Sequence, residues 1–176
     1  MTWKSFHHRG EILTSVTSAA DSRRDGLLPM DVDGVPETFG DELTLLAALQ
    51  LRWHTRLAGR IEHELMSQPM DLENAVVTAW HHCANELPGI RLVIDHHQAE
   101  PLDDEMAQVM GKAADKEHLL LAAMAGRSGI DDHEAALQIG ARIESRARAT
   151  LTSSAPERLA PERPTILARI KAAVAA

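Results

Sequence analysis

The sequence has no tyrosine, two phenylalanines and three tryptophans, so aromatics make up only 3% of its 176 residues. A core of ordinary size must then be built from Leu, Ala, Ile, Val and Met. With the many Arg and Glu residues, these favour helix over sheet, which draws on β-branched and aromatic residues. There is one cysteine, Cys83. That excludes an internal disulfide and any paired-cysteine zinc or redox motif. Positive charge is also short. Lys and Arg number 18 against 26 Asp and Glu, for a formal net charge of −8. An acidic chain repels phosphate backbones and anionic lipid, so nucleic acid and membranes are not expected partners. Arg23-Arg24 and the Arg142/Arg146/Arg148 group are too small and too mixed with acids to reverse this. No long apolar run exists: Leu119 to Ala125 is far below the roughly 20 residues that span a bilayer. The start, MTWKSFHHRGE, lacks the apolar segment of a secretory signal, and we expect a soluble cytoplasmic protein.

What is present is helical periodicity. A first helix is expected over about Trp3–Arg23, with Leu13, Thr17 and Ala20 at helical spacing beside Ile12 and Val16. Asp25–Gly40, rich in Gly and Pro, reads as a connector. A long helix follows over about Glu37–Met66 and ends before Pro69. Asp71 is placed to cap a third helix that reaches about Leu87, where Pro88-Gly89 breaks it. A short piece spans Ile90–Gln98, and another helix about Asp104–Arg127. A last bundle helix follows a capping box at Asp131-x-x-Glu134 and reaches about Ala149. Residues 151–164 read as a Pro-rich linker. Residues 165–176 read as a short amphipathic helix, with Ile166, Leu167, Ile170 and Val174 on one side, docked on the bundle or on a partner. No stretch alternates with period two. The fold class is therefore all-α, an antiparallel bundle of four to five main helices formed by residues 1–150.

Two polar intrusions mark where chemistry could sit. At about 100° per residue, positions 43, 47, 50, 54, 58, 61 and 65 share a narrow arc, and Gln50 and His54 stand in its middle. Glu117 is centred among Met106, Met110, Ala113, Ala114, Leu120, Leu121 and Met124. A buried carboxylate must be paired, hydrogen-bonded, protonated or metal-bound. We expect Glu117 within reach of a His, Arg or Gln on another helix, with His54 the first choice. His54, Gln50 and Glu117 are thus the candidate ligand site or buried polar network.

Helical bundles also build metal centres from inward Glu and His. His54, His82, Glu86, His97 and Glu117 are the candidate metal ligands, for iron or zinc. The paired Glu-x-x-His of a di-iron site is missing, as is His-Glu-x-x-His. A calcium loop over Asp31, Asp33 and Glu42 fails because Val35 and Pro36 stand where a ligand and the turn glycine belong. Cys83 reads as an inert core thiol, and no phosphate loop or nucleophile elbow occurs.

Arg23–Val35 (RRDGLLPMDVDGV) and Leu45–Leu65 (LLAALQLRWHTRLAGRIEHEL) resemble a family of uncharacterised all-helical proteins from actinobacteria. The resemblance implies a helical fold and carries over no activity, cofactor or site residue. The expected function is that of a non-enzymatic interaction or structural bundle, working as a homodimer or with a protein partner. The alternative is a bundle holding a metal ion or small ligand between His and Glu of facing helices.

Overall fold

A computed structural model describes residues 3–127 and 132–154, with side chains from position 8 to position 151. Among the described residues there are seven helices and no strand: α1 (Trp3–Arg23), α2 (Val35–Phe39), α3 (Glu42–Ser67), α4 (Leu72–Glu86), α5 (Pro88–Ala99), α6 (Asp104–Met124) and α7 (His133–Ser154). None is long and apolar enough to cross a membrane. The chain is an all-α bundle.

Aspartates start four of the helices. The carboxylates of Asp41, Asp71, Asp103 and Asp132 accept from the backbone N–H of Thr44, Asn74, Met106 and Ala135, satisfying donors that a helix start leaves open. The cap of α7 is thus Asp132 rather than the expected Asp131, which lies outside the described residues. The long helix also starts later than expected, at Glu42 instead of Glu37. Gly40, at φ 79°, ends α2 in the left-handed region, and Asp41 then restarts the chain as a cap. Helix α7 runs on to Ser154. The remainder of the expected linker and the whole of segment 165–176 lie outside the described residues.

Ion pairs show the antiparallel packing of α3 and α4: Glu64 meets His82, while Arg56 and Arg60, two turns and one turn earlier, meet Glu86. Helices α6 and α7 pair likewise and make the most extensive contact in the bundle. Their approach depends on Gly140. A Cβ there would lie 2.0 Å from the His118 carbonyl oxygen, a backbone atom that can yield only if the helices part. Gly140→Ala should therefore destabilise by about 1–3 kcal/mol in urea unfolding, the usual range for overpacking. Gly59→Ala is the control: an added Cβ meets nothing within 4 Å, and replacing glycine inside a helix should stabilise by about 0.5–1 kcal/mol.

The core is continuous from α1 to α7 and centres on Leu45, Leu46, Leu49, Trp53, Leu57, Ile61, Trp80, Ile90 and Leu121, all at most 1% exposed. On α3 it is rotated from the expected arc. Leu45, Leu46, Leu49, Gln50, Trp53, Leu57, Ile61 and Glu64 are buried, whereas Leu43 and Leu65 are half-buried, Ala47 is exposed and His54 sits at the boundary. The larger apolar ring of Trp53 takes the seam, and His54 is turned aside by the 100° between neighbours.

Candidate functional site

Helices α3, α4 and α5 bring side chains to Glu117 of α6, which is 5% exposed. Its Oε2 accepts from Trp53 Nε1 at 3.0 Å and its Oε1 from Trp80 Nε1 at 3.3 Å. His54 Nε2 lies 3.3 Å from Oε2. Arg91 Nη1 lies 3.4 and 3.5 Å from the two oxygens. Two indoles, an imidazole and a guanidinium thus surround one carboxylate. The indole rings meet edge to face at 5.9 Å, and Arg91 stacks over Trp53 at 4.9 Å. A buried tryptophan needs a partner for its N–H, and a buried carboxylate needs donors. Each group here meets the other's requirement.

The network continues beyond Glu117. Arg91 holds Asp95 one turn along α5, with Nε and Nη2 at 2.9 and 2.5 Å from one oxygen. Arg148 on α7 forks onto Asp95 at 2.7 and 2.9 Å and also binds Glu144 at 2.7 Å. Its guanidinium covers the Trp80 ring at 5.3 Å. Glu144 takes a further hydrogen bond from His118 at 2.8 Å and stands 4.0 Å from Arg91. Three carboxylates therefore face two guanidiniums, and His118 supplies the balancing charge when protonated.

The electrostatics follow from this arrangement. Burial by itself would raise the Glu117 carboxyl, but the His54 hydrogen bond and the Arg91 charge outweigh it and hold Glu117 below its ordinary value. Burial likewise opposes ionisation of Glu144, and His118, Arg91 and Arg148 overcome it, bringing Glu144 down to about 2. Asp95 is held down against burial by Arg148 and Arg91. The Glu144 hydrogen bond raises His118. These carboxylates stay ionised and engaged, which suits a structural ion cluster better than proton transfer near neutrality.

Of the candidate network residues, the structure joins His54 to Glu117 but turns Gln50 to the Met110 sulfur. The five candidate metal ligands do not converge. His54 and Glu117 are together, His82 pairs with Glu64 at 3.8 Å, and Glu86 is taken by Arg56 and Arg60. His97 is buried and its Nδ1 bonds the Val93 carbonyl within α5. The physical reason is the break at Leu87–Pro88, which starts α5 as a separate helix and takes His97 off the face shared by His82 and Glu86. Among the described residues no three His, Cys, Asp or Glu side chains gather as a metal set. Arg91 lies between two of the carboxylates, 3.4 Å from Glu117 and 4.0 Å from Glu144. The cavity beside it, walled by Gln50, Met110 and Arg91, measures about 10 Å³, room for roughly one water. Cys83 is buried, and burial with the nearby Glu117 charge raises its thiol to about 12, so it is a poor nucleophile.

A larger concavity lies on the surface between α1, α3 and α6. It is an open groove of about 690 Å³ lined by Leu13, Leu43, Ala47, Ala48, Leu51 and Val109, with Arg9 and Arg52 at its rim. Leu51 is 67% exposed there. Helix α3 is thus apolar on two faces, one in the core and one open to solvent.

The chain matches no protein-family model, no curated protein and no solved structure. The resemblance of Arg23–Val35 and Leu45–Leu65 to actinobacterial proteins gains no support from these comparisons.

Proposed function

We propose that this protein is a non-enzymatic interaction module that receives an amphipathic helix of a second copy or of another protein in the α1/α3/α6 groove. The open apolar groove carries this reading. Its α3 wall runs from Leu43 to Thr55, about 18 Å at 1.5 Å per residue, the length of three helical turns. Contiguous exposed apolar surface of this kind marks interaction sites, and helix-in-groove binding uses anchors at i, i+3 or i+4, and i+7. The Arg9 and Arg52 rim favours acidic flanks on the incoming helix. The ion cluster beneath is the rigid support for α3. The alternative, a metal ion or small ligand between His54 and Glu117, has less in its favour, because Arg91 and the two indoles already occupy that seam.

The test is fluorescence anisotropy with a labelled peptide that bears Leu or Ile at i, i+4 and i+8 and acidic flanks. Saturable binding is expected, weakened at least about tenfold by Leu51→Glu, since a charge among the groove's apolar side chains would be buried when the helix docks. No binding, or equal binding to Leu51→Glu, would contradict the proposal.

A further inference from the structure

Segment 165–176 carries Ile166, Leu167, Ile170 and Val174 at helical spacing, among five alanines. As a helix its twelve residues would measure about 18 Å, matching the α3 wall of the groove. Alone in water a helix of that length is marginal, so it requires a surface.

The chain can deliver it to this groove. Helices α6 and α7 are antiparallel, with His118 level with Gly140 and Glu144. Continuing that pairing sets Ser154, the last residue of α7, level with the early turns of α6, where Val109 lines the groove. The remaining distance leads around α6, a cylinder about 10–12 Å across. Ten residues, 155–164, are available, three of them proline. Extended, they reach roughly 30 Å or more. The groove also admits close approach: Ala47 and Ala48 are small, and a Cβ at Gly10 would meet nothing within 4 Å.

We propose that segment 165–176 packs as a helix in the α1/α3/α6 groove of its own chain, through Ile166, Leu167, Ile170 and Val174, and so competes with an outside helix for that surface. This rests on the reading of the groove as a helix-binding surface. Arg169 and Lys171 flank the apolar stripe and share the sign of Arg9 and Arg52 at the rim. A partner with acidic flanks would therefore displace the segment, which makes the contact reversible.

The experiment uses the full chain carrying Leu51→Cys and Ile170→Cys, oxidised mildly and mapped by mass spectrometry. Met70→Cys with Ile170→Cys is the control, because Met70 is 96% exposed beyond the far end of α3. An intrachain link between positions 51 and 170, formed well ahead of the control, is the expected result. In parallel, Ile166→Glu with Ile170→Glu should raise the affinity of the full chain for the labelled peptide at least about tenfold, because a tethered competitor acts at roughly millimolar effective concentration. A link only between chains, at 51–170 or 51–51, would overturn self-docking and leave the groove as an interaction surface. No preference over the control, with unchanged peptide affinity, would also overturn it. If the peptide then binds the groove, the functional reading stands; if it binds neither protein, both fail.

Discussion

Arg91→Met is expected to lower the stability of this protein by about 3–5 kcal/mol, the usual loss when one partner of a buried ion pair is removed. Methionine preserves much of the apolar stem packed over Trp53, so the loss reports the missing charge and hydrogen bonds rather than a void. Glu117 would keep the Trp53 and Trp80 donors and His54 but lose its guanidinium while only 5% exposed. Asp95 and Glu144 would retain Arg148, and Glu144 also His118. The largest deficit therefore falls on Glu117. For a chain of this size each kcal/mol moves the midpoint by roughly 2–4 °C, so thermal unfolding should show a fall of about 6–20 °C. Arg23→Met is the comparison. Arg23 pairs with Asp31 at 2.6 Å, but both are exposed, and water replaces the lost partner. Its midpoint should barely move.

Acid should unfold the protein by discharging the same cluster. Glu144 titrates at about 2 in the folded chain against an ordinary 4.5, so it contributes about 3 kcal/mol at neutral pH. That contribution is complete above pH 4.5 and is lost as pH falls through the folded value. Glu117 and Asp95 are lowered too and act in the same direction. His118 is raised above 6.5 and acts oppositely: its contribution is present below 6.5 and is lost as pH rises through its folded value. Stability should peak between about pH 5 and 6.5, decline gently above it and drop steeply toward pH 2. Urea midpoints across this range would check it. Glu144→Gln should flatten the acid limb, and His118→Gln the decline on the alkaline side.

Helix positions were legible because periodicity and aspartate caps are local signals. Asp71 and the break at Pro88 were readable from a few residues each. The burial of Glu117 was legible for the same reason, since seven apolar neighbours surround it on one helix. Its partners were harder to find. Arg91 comes from α5, Trp53 from α3 and Trp80 from α4, and helical periodicity says nothing about which helices meet. One sign was available. Arg91 stands among Ile90, Val93 and Ile94 with Asp95 one turn on, the pattern of an arginine carried inward with its counter-ion. The rotation of α3 is not legible in the sequence because its apolar residues cover two faces, and an arc centred on Gln50 and His54 mixes the groove face with the core face. The groove itself is a relation between three helices and has no local signature.

Arg91 and Glu117 form the mutually dependent centre of a closed, structural ion cluster. A double-mutant cycle with Arg91→Met and Glu117→Gln, read by urea unfolding, tests this most directly. Each single change should destabilise, and the double variant should lose less than the two together by about 1–3 kcal/mol, the coupling of groups in one buried network. Losses that add within about 0.5 kcal/mol would show the two residues to be independent and would contradict the account.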